Sequence, residues 1–90
     1  TDNFVIGGAN VDAPLVSVGK TGNVGIGVTS PNSILHVNGG IQMSDDTDTA
    51  SASKVGTLRY RTSGDNSYVD MCMQTGATTY EWINILENNW

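Results

Sequence analysis

The sequence predicts an all-β chain, and three observations carry that reading. Short apolar stretches recur about every ten residues, each closed by turn-forming residues. No stretch repeats its apolar residues at the 3.6-residue period of an amphipathic helix. Charged residues make up 14% of the chain, against roughly 25% in an ordinary soluble domain, while 11 of 90 residues are glycine. Such a composition suits many short strands and turns rather than a helical bundle.

Taken in order, the first strand is Phe4-Val5-Ile6, broken at Gly7-Gly8. Asp12-Ala13-Pro14 then turns into Leu15-Val16-Ser17-Val18. After Gly19-Lys20-Thr21-Gly22-Asn23 comes Val24-Gly25-Ile26-Gly27-Val28. This run sets branched side chains on alternate positions with glycine between them. One face is nearly bare, so another backbone can approach it closely. Ser30-Pro31-Asn32 breaks the pattern before Ile34-Leu35-His36-Val37, and Asn38-Gly39-Gly40 breaks it before Ile41-Gln42-Met43. At each break glycine supplies positive φ, proline fixes φ, or Asn and Asp bond their own backbone.

Residues 44–53 are small and polar, which marks a linker loop. Residues 54–90 hold both tryptophans, all three tyrosines and two of the three methionines. Here Val55 to Thr62 alternates, with Leu58 and Tyr60 on one phase and Arg59 and Arg61 on the other. Tyr68 to Gln74 alternates again, with Val69, Met71 and Met73 in phase, and Tyr80 to Leu86 closes a three-stranded antiparallel meander. Three strands with one apolar face are stable where two are marginal. The chain therefore divides into residues 1–43, the loop 44–53 and a small β module at 54–90.

Net charge is −5, with Lys20, Lys54, Arg59 and Arg61 the only cations. A nucleic-acid partner needs clustered cations, so that class is set aside, as is an anionic membrane surface. No apolar run approaches the roughly 20 residues of a membrane-spanning helix. Cys72 is the single cysteine, which rules out a disulfide within the chain. The chain starts at Thr1 rather than Met and is read as a piece of something longer. Its Gly-x-Gly phrase lies within a strand pattern and not before a helix, so no phosphate loop and no cofactor are expected.

Energetics point to self-association. Burying a Val or Ile contributes roughly 1.5–3 kcal/mol, and ordering one residue's backbone costs about 1–2 kcal/mol. With about one apolar residue in two or three, a lone chain comes out near zero. Identical chains can pool their apolar stripes and cover strand edges that would otherwise aggregate.

Few residues offer chemistry. Asp45, Asp46 and Asp48 lack the spacing of a calcium loop and read as a solvated acidic loop. His36 is the only histidine; three copies on a symmetry axis would be a metal candidate, but no neighbouring donor accompanies it. Cys72 lacks a His–Asp pair and reads as a thiol on a strand. Arg59 and Arg61 either bind an anionic sugar or carboxylate or pair across strands with Glu81, Asp70 or Asp65. Tyr68, Tyr80, Trp82 and Trp90 are aromatic candidates for stacking on sugar rings; the competing reading, preferred for Trp82 and Tyr60, is that they form the core of the module. No pair of carboxylates stands on a frame suited to glycoside hydrolysis, so no enzyme activity is expected.

The stretch Gly22-Asn23-Val24-Gly25-Ile26-Gly27-Val28-Thr29-Ser30-Pro31, followed by Leu35-His36-Val37-Asn38-Gly39, resembles a phrase of phage tail-fibre and tail-spike shafts. Gly56-Thr57-Leu58-Arg59-Tyr60, Val69-Asp70-Met71-Cys72-Met73 and Trp82-Ile83-Asn84-Ile85 resemble a small β module that closes such fibres. Together these phrases cover most of residues 15–86. The resemblance implies an extracellular virion fibre: a parallel homotrimer whose interwoven strands form a shaft like a triple-stranded β-helix or β-prism. It also implies contact with other tail proteins and attachment to a bacterial surface glycan or protein. The residues whose own chemistry suits receptor or glycan binding are Trp90, Tyr80, Tyr68, Arg59 and Arg61. Related modules carry a second cysteine before the Gly-Thr-Leu-Arg-Tyr phrase, where this chain has Ala50 and Ala52, so a disulfide does not carry over. A scaffold or trimerisation role without receptor contact is the alternative.

Overall fold

The computed structural model describes residues 4–7 and 14–90, with side chains from residue 15 onward. The fold is all-β. Among the described residues there are seven strands, β1 (Phe4–Gly7), β2 (Pro14–Val18), β3 (Val24–Ile26), β4 (Leu35–Val37), β5 (Leu58–Ser63), β6 (Asn66–Gln74) and β7 (Tyr80–Asn89), with one turn of 3-10 helix at Ala52–Lys54. They form two sheets in two compact units, which meet in the chain between Ile41 and Gln42. The turns expected at Gly8 and at Asp12-Ala13 lie outside the described residues.

The first sheet runs β1-β2-β3-β4. The pairs β1–β2 and β2–β3 are antiparallel, with Val16 opposite both Ile6 and Ile26, whereas β3–β4 is parallel. Parallel neighbours ordinarily need a crossover of a dozen residues or more. Here the strands are only three residues long, and residues 27–34 suffice to return the chain to the start of β4. Val24 N donates to Ile34 O at 2.7 Å, and Asn38 N donates to Ile26 O at 2.9 Å, closing both ends of that pair.

The alternating run does not continue to Val28 as expected. The strand ends at Ile26 because Gly27 takes φ +73°, a left-handed conformation that glycine adopts without strain. The chain turns there and carries the Val28 carbonyl back over β3. Ser17 Oγ, buried opposite Gly25, donates to that carbonyl at 2.9 Å. A Cβ on Gly25 would stand 2.5 Å from Val28 O and 3.2 Å from Ser17 Oγ. The bare side of the run thus receives a backbone, and it is the chain's own. Ile41-Gln42-Met43, expected as a strand, lies outside any sheet.

The second sheet is the antiparallel meander β5-β6-β7. A two-residue turn, with Gly64 at φ +59°, joins Ser63 to Asn66. Leu58 faces Met71 and Tyr60 faces Val69, so the two apolar phases fall on one face. On β7, Ile83 and Leu86 continue that face opposite Met71 and Val69, and Ile85 is the extra residue of a bulge. The other face carries Arg59, Arg61, Tyr68, Asp70, Cys72, Trp82 and Asn84.

Which face lies inside is the reverse of what polarity alone suggests. Asp70 and Cys72 are fully buried, whereas Leu58, Tyr60 and Leu86 are exposed. Residues 44–54 run over the polar face and cover it. Four hydrogen bonds fix them: Tyr60 N to Ser44 O at 3.4 Å, Arg59 Nη1 to Asp46 O at 2.9 Å, Trp82 Nε1 to Asp48 O at 3.0 Å, and Cys72 Sγ to Ser51 O at 3.8 Å. Tyr60, expected in the core, stands 41% exposed on the opposite face, where its hydroxyl meets Ser67 Oγ at 2.9 Å.

Candidate functional site: a strapped arginine ladder and a bare apolar face

Alternation along β5 puts Arg59 and Arg61 on the same side, two residues apart, and the register sets Asp70 directly opposite Arg59. Of the three carboxylates considered for cross-strand pairing, Asp70 is the one they use. Its Oδ2 accepts from Arg59 Nε at 2.9 Å and from Arg61 Nε at 2.5 Å. Asp70 Oδ1 is buried and has no partner among the described residues.

Each guanidinium also lies over an aromatic ring. Arg59 Cζ is 4.0 Å from the Trp82 ring centroid, and Arg61 Cζ is 3.9 Å from that of Tyr68. A planar cation on an aromatic face gains electrostatic attraction, more so when water is excluded. The result is a ladder, Trp82–Arg59–Asp70–Arg61–Tyr68, across all three strands. Burial pushes the Asp70 carboxyl upward, but the hydrogen bonds from Arg61 and then Arg59 outweigh it and hold the carboxyl below its ordinary value. The same bond raises the Arg61 guanidinium.

A second ion group lies within residues 44–54, the strap over the arginine face. Lys54 Nζ meets Asp46 Oδ2 at 2.6 Å and Asp48 Oδ2 at 3.4 Å. Asp46 Oδ1 also accepts from Asp48 N at 3.0 Å. The bond from Lys54, followed by that from the Asp48 amide, lowers the Asp46 carboxyl, and Asp46 in turn raises Lys54. These aspartates hold a lysine rather than a cation from solution. Among the described residues no group of three or more His, Cys, Asp or Glu could hold a metal ion.

The residues suggested for receptor binding separate into distinct settings. Arg59, Arg61 and Tyr68 come together in the ladder, half-buried, with their Asp70 and aromatic partners in place. Tyr80 is half-buried opposite Gln74 at the start of β7, on the same face. Trp90 is apart from them: it is 83% exposed, and its amide donates to Asp65 O at 3.1 Å beside the β5–β6 turn. His36 is half-buried on β4, and its Nδ1 accepts from the Asn32 amide at 3.1 Å. Trp82, expected in an apolar core, is instead the platform for Arg59. Its phase is the signal that could have found this, since two-residue alternation from Gln74 and Tyr80 puts Trp82 opposite Cys72, on the arginine side.

The opposite face exposes Leu58, Tyr60 and Leu86. Its rows are Met73–Glu81, Leu58–Met71–Ile83, Tyr60–Val69–Leu86 and the polar Thr62–Ser67–Asn88. One hydrophobic residue, Cys72, is fully buried among the described residues. Comparison of the chain with protein families, with curated proteins and with solved structures finds no match.

Proposed function

We propose that the chain is a structural segment of a phage tail fibre, exposed on the virion, which works as a homotrimer and contributes to host-cell attachment. The reading rests on the fibre-like phrases of residues 22–39 and 56–85 and on one structural observation. The lone chain leaves its large apolar side chains open, with Leu58 43% and Leu86 65% exposed on the module and Leu35 56% exposed on the first sheet. A surface of this kind favours association, because each side chain moved out of water contributes in proportion to its apolar area. In this reading residues 1–43 stack with their copies into a shaft and residues 54–90 form an end module. The fibre acts without a cofactor, by projecting and repeating a weak contact, and three linked sites raise avidity by about 10²–10⁴.

Sedimentation equilibrium at micromolar concentration tests the assembly. A mass three times that of the chain is expected, and a folded monomer would refute it. The role of scaffold without receptor contact is favoured by a separate observation: Arg59 and Arg61 are already engaged with Asp70 and their aromatic rings. A glycan array probed with the assembled protein separates the two roles, with binding abolished by Trp90→Ala supporting attachment and silence supporting the scaffold.

A further inference from the structure

We propose that Asn38 is a modification site, where the neighbouring Gly39 amide attacks the Asn38 side chain and water completes its conversion to aspartate and isoaspartate. The inference goes beyond the fibre reading and does not depend on it.

Three observations carry it. First, Asn38-Gly39 is the one Asn-Gly pair in the chain. Asparagine is a thermolabile residue. Its side chain closes a five-membered ring on the following backbone nitrogen, and a glycine there sets no Cβ in the path. Secondly, the fold demands that glycine. Gly39 takes φ +148°, a conformation other residues adopt only with strain. A Cβ built on it meets nothing within 4 Å, so the nitrogen is unobstructed. Thirdly, the reacting groups are loosely held. Among the described residues the Gly39 amide donates no hydrogen bond. Both residues are exposed on the first unit, and the Asn38 carboxamide makes one long contact, Nδ2 to Gly27 O at 3.4 Å. By contrast, Asn66-Ser67 lies within β6, paired on both sides, and Asn66 Nδ2 donates to the Tyr68 hydroxyl at 2.9 Å.

The step balances with water as its only co-reactant. The Gly39 amide gives up its proton, and its nitrogen bonds to Asn38 Cγ. The Cγ–Nδ2 bond breaks, and Nδ2 leaves as ammonia with that proton. Water then opens the ring. Addition at Cγ yields aspartate; addition at the Asn38 backbone carbonyl yields isoaspartate, whose chain runs through Cβ and Cγ. Nothing is oxidised or reduced.

The position gives the change a structural consequence. Asn38 N donates to Ile26 O at 2.9 Å and closes the β3–β4 pair, while its side chain serves the carbonyl of the left-handed Gly27. A carboxylate has no proton to donate to Gly27 O, and isoaspartate adds a backbone carbon beside the closing bond. The converted chain should therefore exchange the amides of Leu35–Val37 faster.

Peptide mapping by mass spectrometry tests the site on the full chain, aged in ordinary and in oxygen-18 water at neutral and alkaline pH. Asn38 is expected to convert first, at least about tenfold faster than Asn66. The product should carry one oxygen-18, contain both aspartate and isoaspartate, and form faster at alkaline pH, where the attacking amide loses its proton more readily. The same mapping in guanidinium chloride separates fold from sequence. The folded chain should convert Asn38 within about tenfold of the unfolded rate. Asn38→Gln, which would have to close a larger ring, should lose conversion at this position; where that variant fails to fold, the wild-type mapping alone decides. A folded chain that slows Asn38 by more than about tenfold, or converts it less than about tenfold faster than Asn66, overturns the proposal.

Discussion

Replacing Asp70 with asparagine (Asp70→Asn) removes the one anion that two arginines share. The amide would keep the shape of the carboxylate but not its charge, leaving Arg59 and Arg61 two residues apart on one strand face with no anion between them. Breaking a buried ion pair by removing one partner costs about 3–5 kcal/mol. The lower end applies here, because the side chains of Arg59 and Arg61 are 14% and 30% exposed and keep some contact with water. Both would also retain their aromatic platforms. A loss of about 3 kcal/mol corresponds to a fall in Tm of roughly 12–24 °C for a domain of 60–100 residues. Far-UV circular dichroism during heating measures this, with wild type and variant at the same protein concentration because association raises Tm by mass action. A fall equivalent to less than about 1 kcal/mol, the range of an exposed pair, would refute the assignment of Asp70 as the buried anchor.

Gly25→Ala places a methyl 2.5 Å from Val28 O and should cost the first unit about 1–3 kcal/mol by denaturant titration. Trp82→Phe keeps an aromatic face for Arg59 but drops the bond to Asp48 O, and should cost about 1 kcal/mol with faster amide exchange in residues 44–54. Asp70 and Asp46 both have lowered folded values, so their contribution is present above the ordinary 3.8 and is lost as pH falls through the lower folded values. The stability-against-pH curve should therefore drop on the acid side below about pH 4. Lys54 is raised above 10.5, so its contribution is present below that pH and disappears as pH rises through the higher folded value. Titration of Lys54→Met should show the alkaline step removed.

Much of the strand pattern is legible in the residues. Alternation in Leu58-Arg59-Tyr60-Arg61 and Val69-Asp70-Met71 assigns side chains correctly to two faces, because a strand has a strict period of two. The direction of burial is not legible, because it depends on what lies over each face. The cover is residues 44–54, whose small polar side chains give no apolar signal and whose backbone carbonyls do the binding. Polarity therefore places Tyr60 inside and leaves the ladder outside. The run Val24 to Val28 misleads for a local reason: the pattern of side chains is the same whether Gly27 is extended or left-handed, and only the return of Val28 over Ser17 distinguishes them. Arg59, Arg61 and Tyr68 stand together among the sequence candidates, and the register explains why they also stand together in space, since Arg61 and Tyr68 are direct cross-strand neighbours.

The placement of the two indoles gives the protein a built-in optical gauge. Trp82 sits beneath a cation with its ring nitrogen tied to the overlying segment, whereas Trp90 is bathed in solvent. Their emission should separate, and lifting the overlying segment would alter the first indole while leaving the second as an internal reference. Opening of that segment can thus be timed in the unmodified chain, without an attached dye.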